Sequence, residues 1–183
     1  RDILYEYAYV WWKLGSSSPP RGESVLYNYI EYSSFKSNGT NVPGRMITSD
    51  ELNKIDKNGR IRIVGISDTH ERHDRLTIPK CDVLVHCGDI HFVSRKKSLH
   101  YNVQKIIAFN KFLARAPAEH KICIAGNHDA TLELLPKLIV KSLLSAATYL
   151  ENEHIEIKGL RFFGSPFSSQ GKYISDNRAF QDK

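Results

Sequence analysis

The sequence predicts an α/β protein with a largely parallel sheet, and three observations lead to this fold class. Short apolar runs of strand length recur after residue 60, a stretch with helical periodicity separates two of them, and several runs end in Gly or Asp. Parallel strands joined by helices form right-handed crossovers, which bury the sheet on both faces. With 183 residues, 41% of them hydrophobic, the chain is long enough for one such core.

Residues 1–59 are predicted to form an N-terminal extension, and residues 60–183 to form the domain itself. Apolar side chains recur at helical spacing within residues 1–14, which predicts one short amphipathic helix. That helix either docks on the domain or touches a membrane surface. Docking is favoured because the polar face carries few basic residues. The Ser, Pro and Gly residues of 15–22 predict a linker.

Three apolar runs predict buried strands, and each run leads into a polar motif. The run 60–66 leads to Asp68, the run 82–86 leads to Gly88-Asp89, and the run 121–125 leads to Gly126. In open α/β sheets the reactive crevice lies at the carboxyl ends of the strands. The position of all three motifs therefore predicts a common site there.

The remaining elements follow from periodicity and turn residues. Apolar positions between residues 97 and 116 predict the helix that links the second strand to the third. Residues 133–147 predict another helix, with Pro136 tolerated in its first turn. Residues 149–163 predict a hairpin whose strands, EHIEI and LRFF, are joined by Lys158-Gly159.

Composition limits the partners and the compartment. The net charge of +6 comes from scattered Lys and Arg residues, so an anionic substrate is compatible but no specific nucleic-acid partner is predicted. Three cysteines without C-x-x-C spacing predict buried or semi-buried free thiols and a reducing, cytoplasmic location. No segment approaches the roughly 20 apolar residues that a membrane-spanning helix needs.

The polar motifs contain side chains that suit a metal ion. Asp68 and His70 are two residues apart, so an extended backbone would point both to one side. Asp89 follows Gly88, which permits the sharp turn that a bridging carboxylate needs, and Asn127 offers an amide oxygen. The predicted ligands are therefore Asp68, His70, Asp89 and Asn127. Taken singly, Gly88-Asp89 would be interpreted as an ordinary turn, whereas the tetrapeptide Gly126-Asn127-His128-Asp129 is specific in itself.

The mixed ligand set favours manganese, iron or zinc over magnesium alone. Two such ions bridged by Asp89 would stand about 3.5 to 4 Å apart and lower the pKa of a bound water from about 15.7 towards about 7. His128 is predicted to face the substrate as a catalytic residue, where it stabilises the phosphoryl oxygens or protonates the leaving alkoxide. Gly126 and Asp129 are predicted to shape and brace the turn.

Other histidines lie near these motifs. His91 and His73 are candidates for contact with the substrate, and His91 is retained as a predicted substrate-binding residue. His86 lies inside a strand, so it is predicted to be a hydrogen-bonded residue of the core.

The motifs ISDTH, LVHCGDI and IAGNHD resemble, in order and in placement at strand ends, those of the calcineurin-like metallophosphoesterases. The continuation YLENEHIEIKGLRFFGSPF is similar to the small MPPED-like branch, the metallophosphoesterase-domain-containing proteins. The resemblance covers about residues 60 to 176. It implies a four-layer α/β/β/α sandwich and a two-metal phosphodiesterase, with cyclic nucleotides as usual candidate substrates. Asp68, His70 and Asp89 would hold the first metal, and Asp89 and Asn127 the second, with His128 at the transition state.

The family pattern continues with an isolated His and a Gly-His-x-His-like motif, whereas here the only His after His128 is His154. The chain is therefore expected to be incomplete at its C-terminus and to hold one ion or none tightly. Two alternatives to a phosphodiesterase remain open. One is a non-catalytic interaction module or inactive fragment that keeps the fold. The other, a nuclease, is weaker because no basic groove with interleaved aromatic residues is visible.

Overall fold

The computed structural model describes residues 5–11, 29–35, 41–54, 60–92, 96–168 and 178–181. Their strands are β1 (Tyr5–Trp11), β2 (Tyr29–Phe35), β3 (Asn41–Ile47), β4 (Ile61–Ile66), β5 (Cys81–Cys87), β6 (Ala118–Ile124), β7 (Thr148–Tyr149), β8 (Glu153–Ile157) and β9 (Leu160–Gly164). Their α-helices are α1 (Ser49–Lys54), α2 (Leu99–Arg115), α3 (Ala130–Leu134) and α4 (Lys137–Leu143). A single turn of 3-10 helix covers His73–Arg75.

The larger sheet has the strand order β3-β2-β1-β4-β5-β6-β7. Strands β1, β4, β5, β6 and β7 run parallel to one another, and β2 and β3 add an antiparallel edge. Strands β8 and β9 form a separate antiparallel hairpin. The prediction of an α/β fold with a largely parallel sheet is confirmed.

Alternating residues of the parallel strands serve two cores, one on each face of the sheet. Val64 and Leu84 pack with the helices, where Phe109 and Leu113 of α2 are fully buried one turn apart. Ile63 and Val83 point the opposite way and pack against the hairpin through Ile157 and its neighbours. Helices, large sheet and hairpin therefore form three successive layers. The fourth, outer helical layer of the predicted sandwich is not found among the residues that the structure describes.

The prediction of an N-terminal amphipathic helix is wrong, because Tyr5–Trp11 forms strand β1. This strand pairs in parallel with β4, where Tyr5 lies opposite Ile61. Tyr, Val and Trp residues favour strands, and pairing with a distant strand overrides the local helical spacing. The linker predicted at residues 15–22 lies outside the described residues. The domain boundary at residue 60 stays a prediction, although β1, β2 and β3 share the sheet with β4.

The helix predicted over residues 133–147 is divided into α3 and α4 at Pro136. Leu135 is extended, with φ −83° and ψ 144°, because the proline ring disfavours helical backbone in the residue before it. Pro136 itself caps α4 from outside the helix. The hairpin prediction is confirmed, and both turn residues, Lys158 (φ 51°) and Gly159 (φ 80°), have the left-handed backbone of a tight two-residue turn.

The three cysteines are free, but their exposure differs. Cys123 is buried and Cys81 half-buried as predicted, whereas Cys87 at the end of β5 is exposed. None of the helices in the described part of the chain is long and apolar enough to cross a membrane.

Candidate metal centre

The first two motif loops are joined by main-chain hydrogen bonds. The N–H groups of Asp68 and His70 donate to the carbonyls of Gly88 and Asp89, each at 3.0 Å. The backbone is left-handed at Asp68 (φ 54°), His70 (φ 43°) and Asp89 (φ 58°), so the extended conformation expected after the first strand is wrong. Asp and His are among the residue types that tolerate this region best. The loops therefore curl towards each other at the carboxyl edge of the sheet.

The third loop is attached to the second by the carboxylate of Asp129, which is fully buried. This carboxylate accepts hydrogen bonds from the N–H groups of Gly126 (2.9 Å), Ile90 (3.2 Å) and His91 (2.9 Å). The N–H of His128 in turn donates to Asp89 Oδ1 at 3.0 Å. The predicted bracing role of Asp129 is confirmed.

Two glycines allow these loops to approach so closely. A Cβ atom on Gly126 would lie 2.6 Å from the backbone nitrogen of Asp89 and would also collide with its carboxylate. Gly88 has φ +96°, and a Cβ there would lie 2.7 Å from the backbone nitrogen of Gly126. Since backbone atoms cannot move aside as a flexible side chain can, both positions require glycine.

These loops bring together His70, Asp89 and His128. One ligand atom from each residue lies within 4.8 Å of the other two. The imidazole rings of His70 and His128 have centroids 4.7 Å apart, at an interplanar angle of 62°. Within the described residues this is the group of His, Cys, Asp and Glu side chains spaced to hold a metal ion. Two imidazoles and one carboxylate suit a borderline divalent transition metal.

Hydrogen bonds to carbonyl oxygens define the tautomers of both histidines. His70 Nδ1 lies 2.7 Å from the carbonyl oxygen of His91, and His128 Nδ1 lies 2.7 Å from that of Phe92. A carbonyl oxygen only accepts, so each Nδ1 carries the proton and donates it. Each neutral ring then has its lone pair on Nε2, which is the arrangement that a metal ligand requires.

The surroundings of Asp89 disfavour the ionised form of its carboxyl group. Burial raises the pKa of its carboxyl group, and the N–H of His128 only partly offsets this effect. The neighbouring negative charge of Asp129 raises the pKa further. A cation beside Asp89 would favour its ionised form, so the donor set and its surroundings fit a bound divalent ion.

The two other predicted ligands, Asp68 and Asn127, lie on the first and third loops. Asp68 has a side chain that is 66% exposed, with Oδ1 4.0 Å from His70 Nε2, and it is hydrogen-bonded to the hydroxyl of Ser67. Asn127 is half-buried, and its main-chain carbonyl accepts a hydrogen bond from the N–H of Ala179 at 3.1 Å. The ligand roles of Asp68 and Asn127 stay predictions.

The expectation that His91 binds substrate is corrected, because its imidazole is fully buried. Nδ1 lies 3.0 Å from Asp129 Oδ1, and Nε2 lies 3.3 Å from the carbonyl oxygen of Asn102. Burial acts to lower the pKa of His91, but the hydrogen bond and charge of Asp129 outweigh it and raise the pKa. Both ring nitrogens face acceptor oxygens, which is the pattern of a doubly protonated imidazole, so His91 is an internal partner of the Asp129 carboxylate. His73, also considered for substrate contact, is 2% exposed and packs against Phe109.

His86 is the hydrogen-bonded core residue that the sequence predicts. It is fully buried in β5, with Nε2 3.0 Å from Thr69 Oγ1, and its Nδ1 accepts from the N–H of Gly88 at 3.3 Å. Burial lowers its pKa from 6.5 to about 4. His86 therefore supports the loops of both Thr69 and Gly88 in its neutral form.

The pKa of His86 predicts a loss of stability in mild acid. Above pH 6.5 both folded and unfolded chains hold His86 neutral, so its contribution is constant there. Between pH 6.5 and about 4 the unfolded chain binds a proton that the folded chain does not, so the free energy of unfolding falls, by up to about 3 kcal/mol. Urea unfolding at pH 7, 6 and 5 measures this slope. We expect His86→Gln to reduce this slope and His154→Gln, at an exposed histidine, to leave it unchanged; equal slopes in all three chains would contradict the assignment.

Two neighbours of the cluster carry no motif signal in the sequence. Phe92 is 53% exposed, and its ring lies 5.8 Å from that of His70. Glu71 receives hydrogen bonds from the hydroxyl of Tyr101 (2.9 Å) and, at 3.5 Å, from the N–H of Phe92. Only the fold brings α2 and these loops together.

Comparisons with known proteins match the same part of the chain. The family model described as calcineurin-like phosphoesterase matches residues 61–180. Human "Metallophosphoesterase domain-containing protein 1" is 35% identical across 60% of this chain and 38% of its own length. From Caenorhabditis elegans, "UPF0046 protein C25E10.12" is 35% identical across 62% of this chain and 44% of its own length. "UPF0046 protein K07C11.7" from the same organism is 32% identical, with 66% and 44% covered. The chain thus spans less than half the length of these relatives.

Proposed function

Because the chain belongs to the calcineurin-like phosphoesterase family, we propose that it binds a divalent metal ion and serves the hydrolysis of phosphate esters. The observation that carries this proposal is the convergence of His70, Asp89 and His128, whose ligand atoms lie within 4.8 Å of one another. This cluster lies at the carboxyl ends of β4, β5 and β6, and α/β sheets bind their ligands at this edge.

When bound, such an ion supplies positive charge that stabilises a phosphoryl group and lowers the pKa of a coordinated water. The residues of the chain hold the ion: His70 presents Nε2 because Nδ1 is engaged by the carbonyl of His91, and Asp89 presents its carboxylate. Asp68 and Asn127 are proposed as further ligands, Asn127 for a second ion. Manganese, iron or zinc suits this mixture of imidazole, carboxylate and amide.

His128 is proposed to act on the substrate. The exposed carboxylate of Asp68 lies 4.0 Å from His70 Nε2, so Asp68, His70 and Asp89 can provide three ligands without it. His128 Nε2 then remains for the substrate, since Nδ1 is held by the carbonyl of Phe92. In its protonated form the ring also carries a proton on Nε2, which it can donate to the leaving oxygen.

The proposed substrate is a small phosphodiester, with cyclic nucleotides as candidates. The resemblance of the motifs to the metallophosphoesterase-domain-containing branch and the net charge of +6 support an anionic ester. A reducing, cytoplasmic location is also proposed. The free thiols of Cys81, Cys87 and Cys123 support it.

Metal content and hydrolysis together test the proposal. The purified chain is equilibrated with manganese and dialysed, bound metal is quantified by mass spectrometry, and hydrolysis of bis-p-nitrophenyl phosphate is followed with and without a chelator. We expect about one retained ion per chain, because Asp68, His70 and Asp89 provide three ligands for one ion, and hydrolysis that the chelator abolishes. Two tightly held ions would contradict the one-ion expectation, and hydrolysis without metal would reject the mechanism.

A metal-binding module without turnover is the second candidate. The observation that favours it is the size of the cluster, because three ligand groups suffice for one ion whereas the proposed phosphodiester chemistry uses two. Retained manganese without hydrolysis of bis-p-nitrophenyl phosphate would support this reading over the first.

A further inference from the structure

We propose that Phe92 forms an aromatic platform beside the metal centre, on which a planar aromatic group of the ester, such as a nucleobase, stacks. The inference rests on the proposed function, since it names the class of ester that the same site takes. Phe92 lies in the loop after β5, three residues beyond Asp89. Its side chain is 53% exposed, although His91 directly before it is fully buried.

The ring of Phe92 borders one of the three clustered side chains. Its centroid lies 5.8 Å from that of His70, with the two planes at 85°. The ring centroid of His70 in turn lies 4.7 Å from that of His128. An ester whose phosphate lies at the ligand atoms therefore brings its organic group within reach of Phe92, because a nucleoside extends several ångströms from its phosphate.

The backbone of Phe92 is hydrogen-bonded through both its carbonyl and its N–H, which limits the freedom of this residue. Its carbonyl accepts the hydrogen bond from His128 Nδ1 at 2.7 Å, and its N–H donates to Glu71 Oε1 at 3.5 Å. Glu71 is itself held by the hydroxyl of Tyr101 at 2.9 Å and by Lys105 Nζ at 3.1 Å. A platform that is ordered before binding loses less conformational entropy when a ligand stacks on it.

A single exposed phenylalanine is not by itself a binding site, because apolar side chains are common on protein surfaces. Phe163 on β9 is an example, being 67% exposed. Phe92 differs because its own carbonyl orients His128 and its ring contacts His70. The position of Phe92 is therefore coupled to the atoms that are proposed to hold the phosphate. A site that recognises an aromatic group attached to that phosphate needs this arrangement.

Two ligands that share a phosphate but differ in the aromatic group test this platform. Thymidine 5′-monophosphate and methyl phosphate are titrated into the manganese-equilibrated chain by calorimetry. Base stacking on an aromatic side chain is typically strong enough that Phe92→Leu should weaken binding of the nucleotide about tenfold. Binding of methyl phosphate should change less than about twofold. Phe163→Leu is the matched control and should change neither dissociation constant.

The outcomes separate this inference from the proposed function. Unchanged nucleotide affinity in Phe92→Leu, equal weakening of both ligands, or no binding of the nucleotide to the unchanged chain would overturn the platform. The titration needs no turnover, so a selective loss of nucleotide binding supports Phe92 even where bis-p-nitrophenyl phosphate is not hydrolysed. Hydrolysis of that ester with no effect of Phe92→Leu on nucleotide binding would instead leave the proposed function standing and reject the platform.

Discussion

Asp89→Asn is expected to lower metal-dependent hydrolysis at least about 100-fold, since several kcal/mol of charge stabilisation correspond to two or more tenfold steps in rate. Asparagine keeps the shape of the side chain and an oxygen that can accept the hydrogen bond from the N–H of His128. The substitution therefore removes the negative charge from the cluster without removing the contact that joins the two loops. The measurements are kcat/KM for bis-p-nitrophenyl phosphate with manganese, and the manganese dissociation constant by calorimetry.

Asp74→Asn is the matched control for this experiment. Asp74 is 61% exposed and pairs with Arg115 at 2.8 Å on the surface, so the same chemical change there should leave activity and metal affinity unaltered. Near-normal hydrolysis and manganese binding in Asp89→Asn would show that its carboxylate does not hold the ion. The metal titration gives this answer independently of turnover.

Asp129→Ala is expected to lower the free energy of unfolding by about 3 to 5 kcal/mol, the typical cost of breaking a buried ion pair by removing one partner. The substitution leaves the raised-pKa imidazole of His91 without its carboxylate, and it removes the acceptor of three N–H groups. Urea unfolding followed by circular dichroism at pH 7 measures the change.

Glu156→Ala, at an exposed position of β8, should change the free energy of unfolding by less than about 0.5 kcal/mol. A loss below about 1 kcal/mol in Asp129→Ala would show that the buried pair with His91 is not formed in solution. The double variant Asp129→Ala with His91→Leu should recover part of the loss, because it removes the uncompensated charge as well.

The central sheet and its three polar ends could be predicted because buried parallel strands are short, apolar and sharply bounded. The runs before Asp68, Asp89 and Gly126 all carry this signal, which depends only on local composition. Strand β1 could not be predicted in the same way. Its residues are compatible with either periodicity, and the pairing with β4, more than fifty positions later in the sequence, decides the outcome.

Within the candidate site, the residue types were predictable but their surroundings were not. Asp129 could be assigned to the turn because it belongs to the short motif that follows the third strand. His91 is equally close in sequence, yet its burial depends on Asp129 and on the carbonyl of Asn102 in α2. The contact of Phe92 with His70 likewise depends on how two loops curl, which no local pattern specifies.

Four residues in the first two motif loops have a left-handed backbone: Asp68, His70, Glu71 and Asp89. This conformation shapes the candidate metal centre but lowers thermal stability. Each such non-glycine residue costs of order 1 to 3 kcal/mol, and glycine or asparagine would relieve this strain. Laboratory evolution that selects for thermostability alone would therefore drift towards those replacements and give a sturdier but inert protein. Engineering of this fold should hold these four positions constant and seek its gains elsewhere.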